Sequence, residues 1–368
     1  MKINRLLLFL ALALLAGLLS ACGGTPVANT WPGLAADAKA AYLTNGAIVY
    51  AVRLTDGTQL WSFPKSSDSK YKSLQFHSTP VFTSDGQLLI GSSGSNSTLF
   101  RLDPETGNDT WSFTGAKNQW VASPLVVGEM VYAPNTDGKL YIFDMSISGD
   151  NKLAGTVELG GRLWGQPTTD GTLLFLTSLD HQVFAVDPKK MIKEWDVPLD
   201  GGITGSALPA NGMLYVGSFA SKMQAIDIAT QKIVWSASTK SQVWGTPVLD
   251  GETLYFGDLG GNFYALNAAD GKPAGDIITI TASTNNVAIL ASPLALNGNI
   301  IFVTESGAVY SRESGGKLVS LETYDGSKLY TTPVLAGDLT LVAPFQGASL
   351  LIALDKDGKQ VWAFVPIK

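Results

Sequence analysis

The amino-acid sequence predicts an all-β protein, an eight-bladed β-propeller of four-stranded antiparallel blades. Two observations carry this. A unit recurs eight times, its first strand opening at Pro32, Pro80, Pro124, Pro167, Ala207, Pro247, Pro293 and Pro333, with spacings of 48, 44, 43, 40, 40, 46 and 40 residues. Each unit holds short β-type runs separated by turn pairs such as Asp85-Gly86, Asp170-Gly171, Asn211-Gly212 and Asn297-Gly298. One such sheet cannot bury both faces by itself. Radial stacking against its neighbours buries them, and closure into a ring limits exposed edges.

The clearest unit runs from Ser78 to Phe113. Thr79 to Thr83 is a short strand whose proline sits at its start, where no N–H is needed. Ser84-Asp85-Gly86 turns the chain, Leu88 to Gly91 is the second strand and Thr98 to Leu102 the third. Asp103-Pro-Glu-Thr-Gly107 turns it again, and Thr110 to Phe113 alternates polar and apolar residues as the fourth strand. A tryptophan recurs in that fourth strand as Trp61, Trp111, Trp195, Trp235 and Trp362, and is absent from the third, sixth and seventh units.

From its start, the chain carries a basic segment (Lys2, Arg5) and an apolar run from Leu6 to Leu19. The run is too short for an ordinary membrane span and right for a signal-peptide core. It ends in Leu19-Ser20-Ala21-Cys22, which resembles the lipobox of bacterial lipoproteins. That resemblance implies cleavage before Cys22 and acylation of the Cys22 thiol and the new amino group. The expected organisation is a signal peptide over 1–21, a lipidated tether over 22–30 and a single propeller over 31–368. Gly23 to Asn29 is small and polar enough to give reach. The expected location is a bacterial membrane: the periplasmic face of the outer membrane in a two-membrane envelope, the outer face of the cell membrane otherwise.

Trp31 to Asp37 aligns with Thr332 to Asp338, so the first and last units both read as complete. Two closures stand for the ring: packing between these units with the termini side by side, and a strand exchange at the seam. Three stretches exceed the repeat norm: Lys65 to Gln75, Ser146 to Leu153 and Ile277 to Asn286. Longer loops on a regular scaffold commonly carry function.

Charge narrows the function. The whole sequence has a formal net charge of −6, with 25 basic and 31 acidic residues. This argues against nucleic acid and against docking on anionic headgroups through basic patches, leaving attachment to the lipid on Cys22. With Cys22 the only cysteine, no internal disulfide forms. His77 and His181 lie in different units without metal-ligand spacing, and His181 reads as a turn residue. Asp355-Lys-Asp357-Gly358 has the first positions of a calcium loop but no distal glutamate, and reads as a turn. No nucleophile elbow or P-loop is present. No metal or cofactor is expected.

One constellation stands out. His77, Trp120, Trp164, Trp244 and Tyr330 lie just before the first strands of their units. First strands line a propeller's axis, so these residues should ring one mouth of the central channel. Two readings stand: an aromatic-rimmed site for a ligand or peptide, and packing between blades.

The segment from Asp103 to Trp111, followed by Asp227 to Trp235 and more loosely by Asp187 to Trp195 and Asp355 to Trp362, resembles the repeat of the quinoprotein (PQQ-like) propellers. In that repeat the tryptophan packs between blades and the Asp and Thr side chains satisfy the turn. Two branches of the family are relevant. One contains dehydrogenases that bind a quinone and a metal under a vicinal disulfide, which a single cysteine cannot make. The other contains cofactor-free binding lipoproteins of the BamB type. Length, lipobox and blade count are similar to the second branch. It implies a non-enzymatic, monomeric scaffold with an envelope protein as partner. The alternatives are a quinoprotein oxidoreductase and a surface sensor for a ligand or glycan.

Overall fold

The computed structural model describes residues 31–65, 71, 73–94, 97–281 and 287–367. The segments expected to form the signal peptide and the tether, with Cys22, and parts of two long loops (66–70 and 72; 282–286) lie outside the described residues. Eight antiparallel meanders follow one another: Gly33–Phe63, Val81–Phe113, Leu125–Glu158, Thr168–Pro198, Leu208–Ser238, Val248–Thr279, Leu294–Thr323 and Val334–Phe364. These are blades 1 to 8. The proline or Ala207 that marks each unit falls one residue before the blade's first strand. Asn211-Gly212 and Asn297-Gly298 place both central residues at positive φ, matching the twist of a two-residue hairpin.

The first strand is longer than the repeat suggests, but broken. In blade 2, Gln75–Phe76 pairs with the far end of the same second strand that Val81–Phe82 pairs with. Leu329 does the same against Pro344, and Leu163 against Ser178. The residues between, ending in proline, leave the ladder and turn toward the axis.

Tryptophans lock the blades. A bulge between the third and fourth strands precedes the pairs Ala51–Trp61, Arg101–Trp111, Ala185–Trp195, Ala225–Trp235 and Ala353–Trp362. It re-aims the outer strand so that the indole reaches the next blade. There the ring lies on a turn glycine: a Cβ on Gly107 would fall 2.6 Å from Trp61, and one on Gly271 2.5 Å from Trp235. Each of these glycines also has positive φ, so no other residue suits both demands. The indole N–H then donates to a turn carbonyl: Trp61 to Pro104 at 2.8 Å, Trp111 to Asp150 at 2.7 Å and Trp235 to Ala268 at 3.0 Å. The turns are held by their own acids. Asp103 Oδ1 accepts from the Glu105 and Thr106 N–H groups and the Thr106 hydroxyl. In blade 5 the Thr230 N–H, then its hydroxyl, hold the Asp227 carboxyl below the usual range.

The ring closes without strand exchange. Blade 8 takes all its strands from residues 334–364 and blade 1 from residues 33–63. The seam is the same joint as elsewhere: Trp362 Nε1 donates to the Leu54 carbonyl at 2.7 Å, and the Thr331 hydroxyl donates to the Pro32 carbonyl. Leu34, Leu43 and Val52 pack there against Leu341, Leu351 and Trp362.

Candidate binding site at the channel mouth

The mouth is built from the four residues preceding each first strand's proline. Counting back from it, the fourth residue is Phe76, Trp120, Leu163, Ile203, Val243, Ile289 or Leu329. All seven are at most 1% exposed and form a buried apolar ring. The third is His77, Val121, Trp164, Thr204, Trp244, Leu290 or Tyr330, and all seven line one cavity of about 490 Å³. Successive residues of an extended chain point opposite ways, so neighbouring positions sort into core and channel.

This separates the five aromatic candidates. His77, Trp164, Trp244 and Tyr330 occupy the channel-facing position and line the same cavity. Trp120 does not. It lies one residue earlier, is 1% exposed, and packs on Phe113 and Tyr141 at ring distances of 6.4 and 5.2 Å. Val121 takes the channel position in its blade.

The second residue back is small: Gly165, Gly205, Gly245 and Ala291 in blades 4 to 7. A Cβ on Gly205 would fall 2.9 Å from the Gly245 backbone, so adjacent blades approach there too closely for a side chain. The residue just before the proline carries a hydroxyl in six blades and links neighbours. The Ser206 N–H donates to Thr246 Oγ1 at 2.8 Å, Thr246 to Ser292 Oγ at 2.9 Å and Ser292 to Thr332 Oγ1 at 3.1 Å, with Thr79 donating to Ser123 Oγ at 2.8 Å. The rim therefore rests on a rigid, hydrogen-bonded collar.

Trp31 completes the mouth; it stands just before Pro32, at the position that carries a small hydroxyl residue in six other blades and lines the same cavity, so its ring reaches where theirs do not. Its ring lies 5.1 Å from His77 on blade 2, 6.0 Å from Trp164 on blade 4 and 6.1 Å from Trp244 on blade 6. Blades 2 and 6 face each other across the ring, so an indole touching both sits near the axis. Burial lowers the His77 pKa from its ordinary value, and its Nδ1 is buried with no hydrogen-bond partner among the described residues. Tyr330 donates to Glu305 Oε1 at 2.9 Å, which also pairs with Lys328 at 2.8 Å; burial is the main cause raising the Tyr330 pKa.

Elsewhere the chemistry is structural. Asp258 is the only fully buried carboxylate among the described residues. It accepts from the Ser241, Gly260 and Asn262 N–H groups, the Asn262 amide and the Tyr264 hydroxyl, so it holds a turn. His181 sits in a turn at φ 68°, and Asp355 caps its own turn by accepting from the Asp357 and Lys359 N–H groups. Among the described residues no cluster of three His, Cys, Asp or Glu side chains could hold a metal.

The eight-fold ring, the tryptophan-on-glycine joints and the acid-held turns define a propeller of the PQQ-like repeat class. The family described as "Outer membrane protein assembly factor BamB" matches residues 45–152 and 147–364, and the chain belongs to it. A relative of that description from Nitrosomonas eutropha is 23% identical over 161 residues, covering 44% of this chain and 37% of the relative. The dehydrogenase subunit of the quinone alcohol dehydrogenase of Gluconobacter oxydans is 31% identical over 103 residues, covering 25% of this chain and 14% of the relative. The matches thus span well under half of either relative's length. Among solved structures, BamB from Moraxella catarrhalis superposes with a TM-score of 0.68 at 16% identity, covering 88% of this chain and 93% of that one. The computationally designed Ika8 protein superposes at 0.66 and 14% identity, covering 90% and 95%. At these identities the superpositions speak for the fold.

Proposed function

We propose that this protein is a non-enzymatic scaffold, held on a bacterial membrane by lipid on Cys22, that binds a protein of the cell envelope during its assembly. The observation that carries the reading is the family match, which runs through all eight blades. The mouth supports it. It offers an aromatic rim on a rigid collar, and its partner is a protein segment presenting apolar or aromatic side chains. Lipid on Cys22, nine residues before Trp31, would keep the mouth within at most about 30 Å of the bilayer.

A second reading, a quinone-dependent oxidoreductase, rests on the Gluconobacter match. The channel mouth argues against it: among its lining residues there is no lysine or arginine to receive a tricarboxylate cofactor. Quinone absorbance in the purified protein tests that reading.

The scaffold reading is tested by crosslinking and pull-down from native membranes, with the full-length lipidated protein and a Cys22→Ala control. Recovery of a β-barrel assembly machine by the wild type and its loss from the control is expected. Return of the anchored protein alone would overturn the reading and favour a small-molecule or glycan ligand. Trp164→Ala/Trp244→Ala tests the rim; unchanged partner recovery by a folded double variant removes the rim from the site.

A further inference from the structure

The channel mouth already holds an aromatic side chain of this same chain. Trp31 stands where six other blades carry serine or threonine. From blade to blade those residues form a chain: the Ser206 N–H donates to Thr246 Oγ1, the Thr246 N–H to Ser292 Oγ and the Ser292 N–H to Thr332 Oγ1. An indole has no acceptor, so the link is not repeated from Thr332 to residue 31. At the seam the collar gives up a hydrogen bond, and a large ring lies among His77, Trp164 and Trp244 instead.

That ring is free to leave. The fold takes hold of the chain one residue later: the Pro32 carbonyl accepts from the Thr331 hydroxyl, and the Gly33 N–H donates to Thr44 Oγ1 at 2.8 Å. The first strand begins at Gly33, so swinging the Trp31 side chain out breaks none of the blade 1 ladder. Trp31 itself is partly exposed. The place it occupies is uncharged: among the residues lining the mouth there is no Asp, Glu, Lys or Arg. Nor does the present occupant satisfy the wall it packs on, since His77 Nδ1 is buried with no hydrogen-bond partner among the described residues.

We propose that Trp31 is the occupant in cis of an indole-receiving site between His77, Trp164 and Trp244, and that a partner enters the mouth by displacing it with a tryptophan carried on an uncharged segment; this rests on the protein-binding reading of the mouth. Tied to Pro32, Trp31 competes as an intramolecular ligand. The partner's apparent affinity is then scaled by the fraction of molecules in which Trp31 is out, so the mouth is closed to weak or mismatched segments.

The test titrates methyl-labelled full-length protein, wild type and Trp31→Thr, with N-acetyl-tryptophanamide and, as control, N-acetyl-leucinamide, following the Val121 and Leu290 methyl signals at the mouth. Threonine is the residue this position carries in blades 2, 6 and 8, and it restores an acceptor to the collar. Saturable shifts of these methyls are expected, with the tryptophan amide binding Trp31→Thr about tenfold or more tighter than wild type, and about fivefold or more tighter than the leucine amide does. In the wild type the Trp31 indole N–H should exchange faster with water as the amide binds, a readout that serves also if the variant fails to fold. Equal affinity of wild type and folded variant, equal binding of the two amides, shifts confined to other methyls, no shifts, or an unchanged Trp31 exchange rate would overturn the proposal. The probe needs no envelope partner. Tight amide binding by Trp31→Thr with no partner recovered from membranes would overturn the scaffold reading alone; partner recovery with equal amide affinities would overturn the displacement alone.

Discussion

Gly57 and Trp362 meet across the seam of the ring: a Cβ on the glycine would lie 2.7 Å from Trp362 Cε3. Beside this contact the indole N–H reaches the Leu54 carbonyl, 308 residues away in sequence. The joint that elsewhere links consecutive blades here links the two ends of the fold.

Trp362→Ala should therefore be costly. It leaves a cavity at a site that is 8% exposed and removes the seam's indole hydrogen bond, for about 3–5 kcal/mol. Gly57→Ala should cost about 1–3 kcal/mol through the close contact and the positive φ. Denaturant unfolding of both variants checks this. Losses no larger than those of an exposed substitution would show that the seam does not hold the ring.

Trp120 and Trp164 look alike in the repeat alignment and should behave differently. Trp120→Ala empties a fully buried position and should cost about 3–5 kcal/mol. Trp164→Ala, on the half-buried channel wall, should cost about 1 kcal/mol. Equal losses would contradict the sorting of core from channel.

His77 should make stability depend on pH within a defined window. Its pKa in the fold lies below 6.5 because burial disfavours the imidazolium. Above about pH 6.5 both folded and unfolded states hold it neutral, and the fold is at full stability. Below that the unfolded chain takes a proton that the folded one refuses, so stability falls as pH drops toward the folded pKa. The melting temperature should decline between about pH 6.5 and 5 in the wild type and much less in His77→Gln. Parallel curves would place the titration elsewhere. Trp31→Ala should admit water to the mouth and bring the His77 pKa back toward its ordinary value, read by NMR.

Much of the fold was legible because the repeat exposes its own constraints. A proline before each inner strand, Asn-Gly at two tight hairpins and a tryptophan in five outer strands each answer a backbone or packing demand. The mouth was legible less fully. His77, Trp164, Trp244 and Tyr330 were found by residue type, and the same criterion admitted Trp120, one position out of register. Aligning every unit on its proline, rather than picking aromatics, separates the two positions. Trp31 escaped because its place near the axis depends on contacts with three blades.

The seam has a consequence for how the molecule is made. Leu34, Leu43 and Val52 belong to the first blade to leave the ribosome, and Leu341, Leu351 and Trp362, which cover them, to the last. Until synthesis reaches the final strand, that apolar surface is bare to water and open to other nascent chains. The earliest blade waits longest for its cover, so the demand for a holding chaperone falls most heavily on the beginning of the domain.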